Sequence, residues 1–368
     1  MNRLIALDWL RGLVMVLMAL DHASIFYNPG RLALDSAATY IAGVPLPPEQ
    51  FLTRWLTHLC APTFVFLAGT VLALRIDQRV ARADPPQDID RDLLIRGAVV
   101  ASFDLVFAPL IGGKWVLQVM FAIGASMVLM VALRRVGDAW LLLLALGWFV
   151  GGELLATHFF WVPGQRDPPV GLAVLMAVYY SPHLVILYPV LPWLAVMLSG
   201  WVFGRYLSKK GASPQNYPVR LLALLGVGLV WIYIVVRAAN GYGNMGLLRG
   251  DEGWVQWLHV SKYPPSLSFI TMELGLMALI CAALMVLEGY IKPSRNNLLV
   301  VFGQTPLFFY FLHFSLLALS AGVLGVGGAG GLAWAYGAAG IVLTVLYPFC
   351  RWYRNYKFAH PQSLTRYF

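Results

Sequence analysis

The first apolar stretch, residues 6–28, carries four ionisable residues that could do chemistry inside a membrane: Asp8, Arg11, Asp21 and His22. The stretch is long enough to span a bilayer, which takes about 20 residues. Ionisable side chains on such a helix normally face protein or a wet cavity, because lipid exposure is costly. On a helix Arg11 and His22 lie roughly 16 Å apart along the axis and within about 20° of one face. The spacing therefore predicts a polar face that other helices meet.

Proton transfer is the chemistry that these residues suit, because histidine takes and gives protons near neutral pH. A histidine beside a carboxylate, as His22 is beside Asp21, suits deprotonation of an amine or hydroxyl, with a nearby arginine or lysine holding an anion. His58 is a further candidate, with an interfacial polar role as its alternative. The sequence contains no HExxH motif and no phosphate-binding loop. No metal is expected, and the three cysteines are predicted to be buried thiols.

Membrane helices must position these residues. The chain has 368 residues, of which 60% are hydrophobic and 12% charged, and its mean hydropathy is +0.71. Because soluble domains carry about 25% charged residues, the composition predicts an all-α polytopic integral membrane protein, with residues 1–368 forming a single membrane domain. The first segment is too long and too polar for a cleaved signal peptide and is expected to be retained. The net charge of +9 is attributed to cytoplasmic loops rather than to a nucleic-acid partner.

Hydropathy predicts about ten transmembrane helices. The predicted spans are residues 6–27, 53–75, 93–112, 115–133, 138–157, 185–206, 218–238, 267–288, 298–320 and 328–350. Most of the 26 basic residues fall on one side when both termini are cytoplasmic, so this orientation is predicted.

With this orientation, polar residues of six spans lie at one level near the extracytoplasmic side. They are His22, Arg54, His58, Lys114, Trp115, Gln118, His183, Lys262, Tyr263, Ser266 and His313. Asp104 and Arg11 would continue the polar path inward, so we predict a polar cavity that opens outward. Structural roles are the alternatives: His183 could cap a helix, and His313 could hydrogen-bond between helices.

Several segments carry a family resemblance. LDWLRGLVMVLMALDH, with Arg11 and His22, resembles the opening helix of the membrane acyltransferase superfamily. Further segments resemble the bacterial proteins related to heparan-alpha-glucosaminide N-acetyltransferase: RWLTHLCAPTFVFLAGT (54–70), KWVLQVMFAIGASM (114–127), YPVLPWLAVMLSGWVFG (188–204), KYPPSLSF (262–269), FGQTPLFFYFLH (302–313) and CRWYRNYKFAHPQSLTRYF (350–368). The resemblance covers essentially the whole chain.

The resemblance implies transfer of an acetyl group from cytoplasmic acetyl-CoA to an acceptor across the membrane, which for the lysosomal enzyme is a terminal glucosamine. The catalytic histidine of that enzyme lies in the loop after the first span, but residues 29–52 of this chain contain no histidine. The role would therefore fall to His22 or His58, assisted by Asp21 and Arg11. The candidates for donor binding are Asp8, Arg11, Asp104, Trp115, Gln118 and His313. The candidates for acceptor binding are Arg54, His183, Lys262 and Tyr263.

A bacterial protein of this type would lie in the inner membrane and acetylate an amino sugar or glycan outside the cytoplasm, and a homodimer is compatible with the sequence. Direct transfer and an acyl-histidine intermediate both fit. One alternative is a transporter or flippase with an intramembrane proton relay that includes Asp21 and Asp104. The sequence shows no inverted repeat, which counts against a transporter. The other alternative is a non-catalytic homologue, which the missing loop histidine permits.

Overall fold

Helices account for most of the chain in the computed structural model, which describes residues 4–33, 36–41, 43–107, 109–110, 113–159, 168–211, 213–291, 294–325, 330–360 and 363. The α-helices of these residues are α1 (Ile5–Tyr27), α2 (Pro48–His58), α3 (Cys60–Ala81), α4 (Pro86–Ser102), α5 (Val119–Leu133), α6 (Asp138–Phe159), α7 (Val170–Met176), α8 (Val190–Lys209), α9 (Val219–Ala239), α10 (Trp254–Leu258), α11 (Leu267–Tyr290), α12 (Leu298–Gln304), α13 (Pro306–Leu324) and α14 (Leu332–Ala359). A π-helical turn, Phe103–Phe107, extends α4. The strands are β1 (Trp115–Leu117), β2 (Tyr179–Tyr180) and β3 (Leu184–Ile186).

Eight helical segments of the described chain are long and apolar enough to cross a membrane. They are α1, the continuous stretch of α2 and α3, α6, α8, α9, α11, α13 and α14. The two remaining predicted spans correspond to α4 with its π-helical turn and to the 15-residue α5. The all-α polytopic membrane class is therefore confirmed, while the side on which each terminus lies stays a prediction.

Two predicted spans are interrupted helices. The span predicted at 298–320 divides at Thr305 into α12 and α13, because Pro306 has no amide hydrogen with which to continue the helical bonding. The span predicted at 53–75 begins earlier, at Pro48, and breaks at Leu59 between α2 and α3. The second break directly follows His58, a candidate site residue, and Leu59 itself keeps helical backbone angles, so α2 and α3 form one continuous stretch.

Two other predicted spans begin as strands rather than helices. β1 pairs in parallel with β3, and β2 pairs antiparallel with β3, so the sheet order is β1-β3-β2. The segments WVL and LVI are rich in the β-branched and aromatic residues that favour strands. This small sheet lies at the start of α5 and α8, so the helices proper begin at Val119 and Val190.

Glycine contacts bring the central helices together at backbone distance. A β-carbon at Gly12 of α1 would overlap with the carbonyl oxygen of Leu299 in α12, and one at Gly303 would overlap with the carbonyl oxygen of Asp8. The same applies to Gly200 of α8 against Phe66 of α3. Small residues at such crossings let membrane helices pack closely. The pairs α1–α12 and α3–α8 therefore form the tightly packed centre.

The outer helices face the lipid. In the apolar windows of α6 and α9, 22% and 17% of the residues are buried, compared with 72% in α8. Leu224 and Trp140 are among the exposed apolar side chains.

The start of α1 is held by a carboxylate of α11, because Glu288 accepts hydrogen bonds from the amide of Ala6 (2.8 Å) and the hydroxyl of Tyr217 (2.6 Å). A carboxylate at the start of a helix also offsets the helix dipole.

Candidate active site

A pair of buried histidines connects α1 and α13. Nδ1 of His22 lies 2.7 Å from Nε2 of His313, and the two rings stack with centroids 4.9 Å apart. Nδ1 of His313 lies 2.8 Å from the carbonyl oxygen of Phe309, one turn earlier in α13. A carbonyl can only accept, so His313 must carry its proton on Nδ1 and, when neutral, accept at Nε2. His22 then donates from Nδ1, which leaves the lone pair of its Nε2 available as a base.

His22 lines a cavity of about 380 Å³, which we call the histidine cavity. Its polar lining comes from α1, the loop after α1, α2, the strands and the residues beside them, the loops before α8 and α11, and α13. These residues are Asp21, His22, Arg31, Thr39, Arg54, Thr57, Lys114, Gln118, Tyr180, Tyr188, Lys262, Tyr263 and Tyr310. The cavity thus brings together six sequence-predicted site residues: Asp21, His22, Arg54, Gln118, Lys262 and Tyr263.

Asp21 organises the cations of this cavity. Its Oδ1 accepts from Arg54 at 2.7 Å, from Arg31 at 3.1 Å and from the hydroxyl of Thr57 at 3.2 Å. Arg54 also lies 3.5 Å from the hydroxyl of Tyr263. A buried charge is stable in a protein interior when it is paired and hydrogen-bonded, as it is here. The cluster ties the loop after α1 to α2 beside His22.

The loop before α11 is held rigidly, so its side chains have fixed positions. The hydroxyl of Ser261 donates to the carbonyl oxygen of Pro264 at 2.9 Å, and the amide of Tyr263 donates to Ser36 at 3.2 Å. Ser266 caps α11 by accepting from the amide of Phe269 at 3.0 Å. Lys262 and Tyr263 therefore reach the histidine cavity from a rigid segment. Tyr188, from the loop before α8, lies 3.4 Å from the Tyr263 hydroxyl, and its burial together with this neighbour raises its pKa well above the ordinary value.

A second cavity, of about 280 Å³, lies at the level of Arg11, and we call it the arginine cavity. Its basic residues are Arg11, Arg75, Arg96 and Lys357. Most of the remaining wall is apolar, from α1, α3, α4, α5 and α13. The two cavities share four lining residues: Met18, Phe64, Val119 and Tyr310. A ligand that reached this shared wall from the arginine cavity would approach the neighbourhood of His22.

Asp8 and Arg11 hold the start of α1 against α12. Arg11 donates to the carbonyl oxygen of Gly303 at 2.9 Å, and Asp8 accepts from the amide of Gln304 at 3.1 Å. The two side chains lie 3.8 Å apart. Arg11 and Gln304 line the arginine cavity, whereas Asp8 lies behind them. Of the pair, Arg11 is the one placed to contact a ligand.

Besides Asp8, three candidates for donor binding lie outside the linings of both cavities. Asp104 accepts from the amides of Gln118 and Phe121, each at 2.8 Å, and so caps the start of α5. The indole of Trp115 donates to the carbonyl oxygen of Leu105 at 3.2 Å. His313 stands behind His22. These positions suit residues that support the site rather than touch a ligand.

Two further histidines lie apart from the His22 pair. His58 is buried, and its ring packs against Phe269 with centroids 5.7 Å apart, outside the linings of both cavities. His183 is exposed, and its carbonyl oxygen accepts from the amide of Trp115 at 2.9 Å in the strand region. The structure therefore brings His22, and neither of these two, to a cavity wall.

The candidate set from the sequence omitted several lining residues. Arg31, Thr57, Tyr188 and Tyr310 line the histidine cavity, and Arg75, Arg96 and Lys357 line the other. One signal could have identified Arg31, since it is a basic residue on the side that is otherwise poor in them. Arg75 and Arg96 were counted as ordinary cytoplasmic charges.

Comparison with known families gives one match. The family described as "Heparan-alpha-glucosaminide N-acetyltransferase, catalytic" matches residues 3–237, which include α1 to α8 and most of α9. The segments that carry Lys262 and His313 lie beyond the matched range. Comparison with curated proteins gave no match. Because the family match spans well over half of the 368 residues, the chain belongs to the heparan-alpha-glucosaminide N-acetyltransferase family and is an acyltransferase-type membrane protein.

Proposed function

We propose that the protein transfers an acetyl group from acetyl-CoA, bound in the arginine cavity, to the amine or hydroxyl of a sugar in the histidine cavity. The observation that carries this proposal is the His22–His313 pair. This pair presents the Nε2 atom of His22 to the histidine cavity as a base. The histidine cavity shares four wall residues with the arginine cavity, which is lined by cationic side chains. Family membership supplies the reaction class.

Acetyl-CoA has its phosphates at one end and its thioester at the other, which suits the arginine cavity. Arg11, Arg75, Arg96 and Lys357 would bind the phosphates, since guanidinium and ammonium groups bind phosphate by charge-assisted hydrogen bonds. The apolar wall would hold the pantetheine arm. The thioester would then reach the shared wall near Met18 and Tyr310.

The reaction needs one base that returns its proton. Nε2 of His22 removes a proton from the acceptor amine or hydroxyl, and the acceptor atom attacks the thioester carbonyl. The bond between the carbonyl carbon and sulfur then breaks, and the departing thiolate takes the proton from His22. His313 is a positioning residue, because it fixes the ring and tautomer of His22. In the acyl-histidine alternative, the acetyl group would rest on Nε2 of His22 before transfer.

The first test compares wild-type protein with His22→Gln in detergent, using labelled acetyl-CoA and glucosamine. We expect His22→Gln to bind acetyl-CoA like the wild type but to lose at least 100-fold in transfer rate, since general-base catalysis contributes about 10²–10⁴-fold. His360→Gln, at the exposed end of α14, is the matched control. Transfer by His22→Gln at the wild-type rate would refute the proposed base. Label retained on wild-type protein but not on His22→Gln would indicate the acyl-histidine route.

The donor site has its own test. Arg11→Gln should weaken acetyl-CoA binding about tenfold, because a hydrogen bond to a charged group contributes about 1.5–3 kcal/mol. Arg220→Gln, an exposed arginine at the start of α9, should bind like the wild type. Equal losses in both variants would argue against a donor site in the arginine cavity.

The transporter alternative predicts different results. A transporter or flippase would bind no acetyl-CoA and form no acetylated product, but would move protons or solute when reconstituted in vesicles. A non-catalytic homologue would do neither.

For the transferase, we place the protein in a bacterial inner membrane, with the arginine cavity toward the cytoplasm, in accordance with the positive-inside rule.

A further inference from the structure

The wall shared by the two cavities is where the acetyl carbonyl would lie, because the donor occupies one cavity and the acceptor the other; this placement rests on the proposed function. Four described residues line both cavities: Met18, Phe64, Val119 and Tyr310. Phe64 and Val119 have hydrocarbon side chains, and the thioether of Met18 has no hydrogen to donate. Of these four residues, Tyr310 is therefore the one whose side chain can donate a hydrogen bond to a carbonyl at this wall.

The hydroxyl of Tyr310 is not used by the described part of the protein. Tyr310 is partly buried, yet its hydroxyl makes no hydrogen bond with another described residue. A phenol inside a protein normally finds a partner, as Tyr27 of the neighbouring α1 does by donating to Ser320 of α13 at 2.7 Å. An unused phenol in the wall of two ligand cavities is available to a ligand.

The ring of Tyr310 is held in place although its hydroxyl is not. The ring meets that of His22 edge-on with centroids 6.0 Å apart, that of His313 at 5.7 Å and that of Phe103 at 6.4 Å. Tyr310 and His313 are three residues apart on α13, so they project from one side of this helix. One helix therefore positions both the phenol and the histidine that supports the base. A donor fixed before the reaction needs no reorganisation when charge develops.

We propose that Tyr310 is a catalytic residue that donates a hydrogen bond to the carbonyl oxygen of the bound acetyl group. When the acceptor atom bonds to the carbonyl carbon, the π electron pair moves onto the oxygen, and Tyr310 stabilises this oxyanion while keeping its own proton. The pair returns to form the new carbonyl as the bond between carbon and sulfur breaks. The sulfur leaves with the bonding pair and takes the proton held by His22. Tyr310 thus acts in the same step as His22 without competing for the transferred proton.

Removal of the single hydroxyl tests this role by kinetics. Tyr310→Phe keeps the ring, so we expect acetyl-CoA to bind within about twofold of the wild type. We expect kcat to fall about 100-fold, because loss of one oxyanion donor costs about 10²–10³-fold and the contact is strongest in the transition state. Tyr27→Phe is the matched control, since its hydroxyl bonds to the same helix but it lines neither cavity, and it should keep kcat within about twofold. A wild-type kcat in Tyr310→Phe, or equal losses in both variants, would overturn the proposal.

Infrared spectroscopy gives a readout that needs no acceptor and that a purely structural role of the ring would not move. The probe is acetyl-CoA labelled with ¹³C at the carbonyl, bound to the protein in detergent. A hydrogen bond lowers the carbonyl stretching frequency, so we expect a lower frequency on the wild type and on Tyr27→Phe than on Tyr310→Phe. 3-Fluorotyrosine introduced at position 310 has a more acidic phenol and should lower the frequency further; it serves if Tyr310→Phe fails to fold. The same frequency on the wild type and on the variants at position 310 would overturn the proposal.

The two readouts separate this proposal from the proposed function. Transfer to glucosamine by the wild type, together with a carbonyl frequency that Tyr310→Phe leaves unchanged, would refute the role of Tyr310 and leave the transferase intact. A frequency that depends on Tyr310, without transfer to any sugar, would support the contact and refute the sugar acetyltransferase. A wild-type protein that does not bind acetyl-CoA would refute both.

Discussion

The histidine cavity and the arginine cavity each contain four cationic side chains, but the protein holds them differently. In the histidine cavity, Arg31 and Arg54 share the carboxylate of Asp21, and Lys262 comes from a loop fixed by hydrogen bonds. In the arginine cavity, no carboxylate is found among the described lining residues, and most of the wall is apolar. The first cavity has its polar groups set by the protein's own contacts, which suits chemistry that depends on geometry. The second resembles a slot for a long ligand with a charged end.

The largest expected effect comes from the carboxylate that distinguishes the two cavities. Asp21→Asn leaves Arg54 buried without its partner charge, so we expect a loss of about 3 kcal/mol in the free energy of unfolding. Asp8→Asn, beside the arginine cavity, should cost less, because Asp8 lies 3.8 Å from Arg11. Chemical denaturation in detergent measures both. An equal or larger loss in Asp8→Asn would contradict the distinction between the cavities.

His313 tests whether catalysis belongs to the histidine cavity. His313→Gln should lower kcat about 10- to 100-fold and leave both KM values within about twofold, because His313 acts through the ring of His22. The pH dependence of kcat should shift as well, since the tautomer of His22 would no longer be fixed. Steady-state kinetics with each substrate varied in turn measures this. A higher KM for acetyl-CoA with unchanged kcat would instead support the donor contact predicted from the sequence.

Arg96 tests the arginine cavity alone. Arg96→Gln should raise the KM for acetyl-CoA about tenfold and leave the KM for the sugar unchanged, because Arg96 lines only the arginine cavity of the two described. Arg91→Gln is the control, since Arg91 is exposed on the same helix, α4. A rise in both KM values would show that the cavities do not bind their ligands separately.

The smallest expected effect lies at an ion pair between the start of α4 and the end of α5, two helices whose other residues line the arginine cavity. Asp90 accepts from Arg134 at 2.8 Å and from Arg135 at 2.5 Å. Partial burial would raise the pKa of Asp90, but these arginines outweigh it, so the pKa lies below the ordinary value. The stabilisation is therefore present above the unfolded pKa of about 4 and is lost as pH falls through the folded pKa. Asp90→Asn should cost at most about 1 kcal/mol and remove this acid dependence, measured by thermal unfolding between pH 3 and about 6.

The sequence was a good guide to membrane helices and to the residues that meet at one level. His22, Arg54, Gln118, Lys262 and Tyr263 were predicted to converge, and they line one cavity. Hydropathy and helical periodicity suffice for this, because lipid forces the helices to be long and their polar groups to face inward.

Three features could not be predicted because they depend on packing. From the sequence, His58 was placed with His22. In the structure His58 is the last residue of α2, and its side chain packs against Phe269 instead. Arg31 reaches the cavity because the loop after α1 folds back onto Asp21. The strands β1 and β3 could not be predicted separately, because each sequence by itself resembles the beginning of a hydrophobic helix. Only their pairing in the folded protein identifies them as strands.

The backbone contact between α1 and α12 limits how this protein can open. Gly12 and Gly303 let the two backbones meet directly, so that a side chain at either position would collide with the carbonyl oxygen of Leu299 or Asp8. Any motion that separated α1 from α12 would have to break this backbone contact first. We therefore expect substrates to enter and leave by movements of loops and lipid-facing helices, and laboratory evolution toward new acceptors should begin in those loops rather than in the central helices.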